Sequence, residues 1–178
     1  MVAALHRQID VLNTLIVRAA NVGASDKRQQ SPLFEAAMYE LLKAIEVCIQ
    51  HANDQSFTVS DKRGRSFWHL LFLFGSRSEI AFAANIPATV FASDAKYRRD
   101  DLIRTPLHYA CMKRNTWILT VGWRPLAKEF VQEFSDSHIN KQDSFGRTAL
   151  HYAAMTGSTK LIDFLKTRKA DDTVGDSF

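Results

Sequence analysis

The sequence is poor in most features that announce chemistry. Only two cysteines, Cys48 and Cys111, occur in 178 residues, and they stand far apart. That spacing excludes a Cys-x-x-Cys redox or zinc pair and a disulfide-stapled scaffold. Both cysteines fall in helical, alanine-like positions and are expected to be reduced and buried. No run approaches the roughly 18 apolar residues that a membrane-spanning helix needs. The greasiest stretch, Leu70-Leu71-Phe72-Leu73-Phe74, is far too short. Neither sign of charge dominates: 23 Lys and Arg against 19 Asp and Glu leave +4, too little by itself to mark a nucleic-acid binder. Met1 to Asp10 carries His6, Arg7 and Asp10 and no long apolar core, so it does not read as a secretory leader. A glycine-rich phosphate loop, a Gly-x-Ser-x-Gly elbow and a His-Glu-x-x-His helix are all missing.

What is present is an ordinary folded composition, 46% hydrophobic and 24% charged, in a chain long enough for one domain or four to five stacked repeats. The organising stretch is Gly146-Arg147-Thr148-Ala149-Leu150-His151-Tyr152-Ala153-Ala154. Arg104-Thr105-Pro106-Leu107-His108-Tyr109-Ala110 is its closest copy, and Arg65-Ser66-Phe67-Trp68-His69-Leu70-Leu71 and Ser31-Pro32-Leu33-Phe34-Glu35-Ala36-Ala37 are looser ones. Thr or Ser before a helical run caps it by accepting a bond from an orphan backbone N–H. Proline in the first turn removes an N–H that would have no intrahelical partner. Leucine, then alanines one turn on, give a thin apolar face that lets helices approach closely.

This pattern resembles the ankyrin repeat, whose signature is Thr-Pro-Leu-His-x-Ala, and the resemblance covers nearly the whole chain. It implies an all-α solenoid of about four helix-turn-helix repeats with short hairpin or turn tips behind an N-terminal capping helix. By resemblance, His69, His108 and His151 bond to backbone in adjoining loops and tie repeats together, with Phe34 replacing the histidine in the first repeat. They lie about one repeat apart, a row rather than a metal cluster. The implied units are a capping half-repeat at 1–25, repeats at 26–60, 61–99, 100–142 and 143–175, and the start of another at 176–178. Asp176-Ser177-Phe178 repeats Asp143-Ser144-Phe145 at 176−143=33, the family period, so a further repeat is expected to follow in a longer parent chain.

Asp26, Asp61, Asp100 and Asp143 each stand five residues before the capping Ser or Thr, with spacings 61−26=35, 100−61=39 and 143−100=43. Measured against a period of about 33, the excess grows along the chain. Asp61-Lys62-Arg63-Gly64 and Asp143-Ser144-Phe145-Gly146 carry an Asp-x-x-Gly turn, the glycine free to take positive φ. Gln29 and Ile103 hold that place in the other two. A β-branched residue resists the conformation, so the third hairpin is expected to be irregular. Val2 to Ala20 reads as one helix from its apolar spacing. Gly75 ends the first helix of the second repeat, Glu79 to Asn85 begins its second, and Ala88 to Arg99 makes a long connection. In the third repeat the first helix is expected from Pro106 to about Leu119 and the second from Arg124-Pro125 to Phe134. An enlarged loop around Trp117, Trp123 and Arg124 would join them. Thr148 to Thr156 and Thr159 to Thr167 form a regular fourth repeat.

No cofactor or metal is implied, and the chain does not read as an enzyme. Cys111 follows His108 by three residues, yet it replaces an alanine of the packing face, and the repeat explains both residues. What remains is surface. Carried over residue by residue, the family's contact positions are Lys27, Arg28 and Tyr39; Lys62, Arg63, Arg65 and Phe74; Leu102, Arg104, Met112 and Lys113; and Phe145, Arg147 and Met155. Basic tips with Met, Tyr and Phe further in suit an apolar peptide flanked by acidic residues. The expected function is non-catalytic protein binding or scaffolding on this concave face, in the cytoplasm or nucleus. On that reading, reversing Arg63, Arg65 and Arg104 abolishes binding and spares the fold. Two alternatives stand beside it. One is a basic strip for nucleic acid or anionic lipid that adds Arg98 and Arg99 to the tip cations. The other is the cytosolic regulatory region of a larger channel or enzyme.

Overall fold

In a computed structural model, residues 8–18, 21, 24–39, 41–51, 59–76, 78, 98–114, 116 and 136–177 are described. The regular elements among them are all helical: α1 Ile9–Val17, α2 Pro32–Met38, α3 Leu42–Gln50, α4 Phe67–Phe74, α5 Pro106–Met112, α6 Asp136–Ile139, α7 Ala149–Met155 and α8 Thr159–Thr167. Helices α2, α4, α5 and α7 form one row, each packed on the next. α3 backs α2, α8 backs α7, and α1 lies against α3 as a terminal cap. The fold is therefore an all-α solenoid of helical hairpins.

Small residues set the spacing of that row. Ala36, Ala37, Ala110, Cys111 and Ala153 are wholly buried between helices. Helix α4, Phe-Trp-His-Leu-Leu-Phe-Leu-Phe, carries no polar face, because α2 and α5 cover it from both sides. Phe67, Trp68, Leu70, Leu71 and Phe72 are closed to solvent there, each contributing about 1.5–3 kcal/mol of burial. Trp68 meets Phe67 edge-on at 5.5 Å.

Helix starts follow the residues that predicted them. Ser31 accepts from the N–H of Phe34 at 3.4 Å, and Pro32 and Pro106 stand in first turns. Helix ends were harder to see. α5 stops at Met112, not near Leu119, because Arg114 turns left-handed at φ 55°. Arg114 stands 43 residues before Gly157, which makes the same turn at φ 65° after α7. In the third repeat, a one-turn helix stands at Asp136–Ile139, beyond the expected end at Phe134, and Ile139 is buried. Gly75 caps α4, and α8 runs over the expected residues. The expectations for Val2 to Gln8, for the second helix and connection of the second repeat (Glu79 to Tyr97), and for the second helix and loop of the third, with Trp117, Trp123 and Arg124, lie largely or wholly outside the described residues.

The third hairpin, expected to be irregular, is not. Ile103 takes φ 61°, beside 70° at Gly64 and 74° at Gly146, and its N–H reaches the Asp100 carbonyl at 2.9 Å as in the other tips. The tip's other bonds hold Ile103 in a conformation that costs a β-branched residue about 1–2 kcal/mol. Ile103→Gly is accordingly expected to raise stability by about 0.5–1 kcal/mol, the relieved strain less the entropy glycine returns to the unfolded chain. A melting temperature at or below wild type would show that Ile103 carries no strain.

Candidate functional site

The site is built from four copies of one five-residue turn. In each, the aspartate Oδ1 accepts two backbone N–H groups, those of the third and fifth residues. These are Arg28 and Gln30 on Asp26, Arg63 and Arg65 on Asp61, Leu102 and Arg104 on Asp100, and Phe145 and Arg147 on Asp143, all at 2.8–3.0 Å. The aspartate N–H in turn donates to the fifth carbonyl at 2.9–3.0 Å. A short carboxylate that satisfies its own backbone is why aspartate serves here.

Successive tips are stitched by backbone. The Asp101 N–H donates to the Arg63 carbonyl at 3.0 Å, Ser144 to Leu102 at 2.9 Å, and Ser177 to Phe145 at 3.0 Å. Residues 176–177 thus dock on the fourth tip in the way the third and fourth tips dock on the ones before them. The seam leaves no room for a Cβ at two glycines: one on Gly64 would lie 2.7 Å from Asp101 Oδ1 and 2.9 Å from its N, and one on Gly146 would lie 2.9 Å from Ser177 Oγ.

A second tie runs below the tips. His69 Nδ1 accepts from the Ser66 N–H at 3.0 Å, so its proton is on Nε2, which donates to the Arg104 carbonyl at 3.0 Å. His108 repeats this with Thr105 and the Arg147 carbonyl, at 3.0 and 3.1 Å. The inter-repeat role implied for these two histidines is thus the one they perform. His151 makes the same bond to Thr148 at 3.1 Å and lines an open cleft of about 290 Å³ on the outer side of α7 and α8. Burial holds His69 down to about 4, against the favourable carbonyl and Asp100, and lowers His108 in the same way. Between the first two repeats Phe34 replaces the histidine, and among the described residues no backbone bond joins those tips.

Below the third and fourth tips, tyrosines complete the network. Tyr109 donates to Asp100 Oδ2 at 2.7 Å and Tyr152 to Asp143 Oδ2 at 2.6 Å. Burial alone would raise both aspartates, but bonds from Arg104 and Tyr109, and from Tyr152 and the backbone at Arg147, bring them below the usual carboxylate value. These groups are structural. Cys111 is fully buried with its thiol pushed up to about 12, and Cys48 to about 11, so neither is a thiolate at neutral pH. Among the described residues no group of three or more His, Cys, Asp or Glu could hold a metal, and no helix is long and apolar enough to cross a membrane.

The expected contact residues divide by environment. Lys27, Arg28, Lys62, Arg63, Leu102 and Phe145 stand exposed at the second and third tip positions, and Tyr39, Lys113 and Met155 stand exposed at the ends of the first helices. Phe74 and Met112 are half-buried against the core. Met112 and Met155 share a helix register with Met38 and Leu73, which puts an apolar residue at, or one residue from, the tip-distal end of each first helix. Arg65 and Arg104 differ from the free tips: they pair with Asp61 and Asp100 at 2.6 and 2.7 Å, with side chains only 15% exposed. Reversing them would press two carboxylates together, so the fold would not be spared as first expected. The Asp-x-x-x-Arg spacing was the signal for this pairing. Arg147 lies 3.6 Å from Asp176 and over the Phe145 ring at 5.5 Å. Ile103, which the register with Gly64 and Gly146 had only marked as irregular, is exposed beside Leu102. Arg98 and Arg99 are exposed just ahead of the third tip.

Residues 125–165 match the family model of ankyrin repeats that occur in many copies. No curated protein matches the chain. The matched residues take in the fourth tip, α7 and most of α8; its tip recurs in the three earlier units, and its capping histidine in the second and third. Over that stretch the chain is similar to ankyrin repeats.

Proposed function

We infer that this chain is a non-catalytic module that binds a partner protein or peptide across its tips and the exposed ends of the first helices. Ankyrin repeats generally mediate protein–protein interaction, and the finer reading rests on one observation. Four tips with one bonding pattern line up their second and third side chains on the solvent side, and the hydrogen bonds that shape the tips run through backbone and the aspartate carboxylates. Lys27, Arg28, Lys62 and Arg63 make the near half of that row basic, which favours an acidic partner. The two free, buried cysteines suit a reducing compartment, cytoplasm or nucleus.

Full-length chain on beads, wild type beside a Lys27→Glu/Arg28→Glu/Lys62→Glu/Arg63→Glu variant, is exposed to cell lysate at low and high salt. A defined protein retained by the wild type at both salts and lost by the variant is expected. If RNA or anionic vesicles bind instead, with affinity falling steeply as salt rises, the electrostatic-strip alternative replaces this one. A protein retained equally by both forms places the contact elsewhere and overturns the tip-face reading.

A further inference from the structure

We propose that the tip face takes an extended peptide of two unlike halves, an acidic half over the first two tips and an aliphatic or aromatic half over the third and fourth. This rests on the binding reading above and adds the chemical order of the partner.

The third tip position reads Arg28, Arg63, Leu102, Phe145 along the stack, in equivalent bonds and all exposed. The second reads Lys27, Lys62, Asp101, Ser144. Among the described residues none of the four cations is in an ion pair, unlike Arg65 and Arg104. The row therefore changes character once, between the second tip and the third. Asp101 stands at that border, exposed, and its carboxylate repels an acidic side chain that strays onto the apolar half. Tips about 10 Å apart, a helix diameter, span about 30 Å, or about nine extended residues. One short segment can thus reach both halves.

Backbone strain points the same way. Where sister tips have Gly64 and Gly146, the third keeps Ile103 at φ 61° with 39% of its surface open. An exposed aliphatic side chain held at a conformational cost, next to Leu102, enlarges the apolar half and does nothing for the core. Exposed charges bind weakly through water but order and steer an encounter. The apolar half supplies the desolvated contact.

The test selects displayed random dodecapeptides on the full chain and measures one enriched peptide by fluorescence anisotropy. The expected consensus has an Asp/Glu cluster to one side of a Leu/Ile/Phe/Trp cluster. Lys27→Ser/Arg28→Ser/Lys62→Ser/Arg63→Ser should weaken binding about tenfold and flatten its salt dependence. Leu102→Ser/Phe145→Ser should weaken it comparably and leave the salt dependence intact. Ile103→Gly should weaken binding even as it raises the melting temperature, a pairing that simple damage to the fold cannot produce. Acidic and apolar residues interspersed in the consensus, or binding indifferent to Leu102→Ser/Phe145→Ser, overturns the division into halves and leaves the tip face standing. Binding untouched by either multiple variant overturns both. A failure to enrich any peptide overturns the extended-peptide proposal, and the lysate experiment still decides the tip face.

Discussion

Lowering the pH from 7 to 5 is expected to cost the fold about 2 kcal/mol through His69 alone. Its folded pKa is held down at about 4 by burial, against about 6.5 in the unfolded chain. Between those values the unfolded chain binds a proton that the folded chain refuses. Stability is therefore complete above about pH 6.5 and drains away as pH falls toward 4. The geometry explains the refusal: a proton on Nδ1 would face the Ser66 N–H, which already donates to it. His108 acts in the same direction. Asp100 and Asp143, also depressed, add their losses only at lower pH. Glu35, raised chiefly by burial and next by Asp26, works the other way as it takes up its proton. His69→Ala should lower stability at pH 7 by about 2–5 kcal/mol, since it orphans the Ser66 N–H, takes one of two donors from the Arg104 carbonyl and leaves a cavity in the core, and should flatten the dependence between pH 7 and 5. Urea unfolding at both pH values measures this, and a wild-type midpoint unchanged at pH 5 would sink it.

The second large effect concerns two glycines with nearly the same backbone angles. Gly157→Ala, at φ 65° with nothing within 4 Å of the new Cβ, should cost only the left-handed penalty of about 1–2 kcal/mol. Gly64→Ala, at φ 70°, adds a Cβ 2.9 Å from the Asp101 nitrogen and 3.1 Å from the Asp100 Cα. Backbone cannot swing aside, so the third tip must shift and its bond to Arg63 must lengthen. A total of about 3 kcal/mol or more follows, with overpacking added to the backbone penalty. Thermal melts of the two variants decide the matter, and equal losses would mean that the seam is looser than its hydrogen bonds indicate.

These two pairs of residues also show what a reader of the sequence can see. The histidine and the Asp-x-x-Gly turns were legible because each residue type has few other reasons to recur at that place. The two helices of the fourth repeat were legible, down to the limits of α8. Arg114 and Ile103 were misread because they hold glycine's conformation without being glycine. Only surrounding bonds force such a residue into place, and those bonds join residues up to a repeat away. Arg65 and Arg104 were read as charges on offer because a sequence displays a charge and not its partner. Arg28 and Arg63 look the same on paper and are unpaired among the described residues. The basic and apolar candidates on the tips were visible residue by residue. Their division into two halves emerged only when matching hydrogen bonds put Arg63, Leu102 and Phe145 in one register.

The stitching of the tips has a consequence for how such a chain changes over generations. Each stitch uses an N–H and a carbonyl, which every residue but proline supplies, so the bonds do not care what side chain rides above them. Arg63 and Leu102 already play one part in the stitch with unrelated chemistries, and Phe145 plays it toward Ser177. Mutation at those positions is therefore close to free with respect to folding, while the neighbouring glycine at 64 or 146 is closely confined. Heritable variation is channelled to the residues a partner would feel, and a new specificity can arise by single steps through sequences that all still fold.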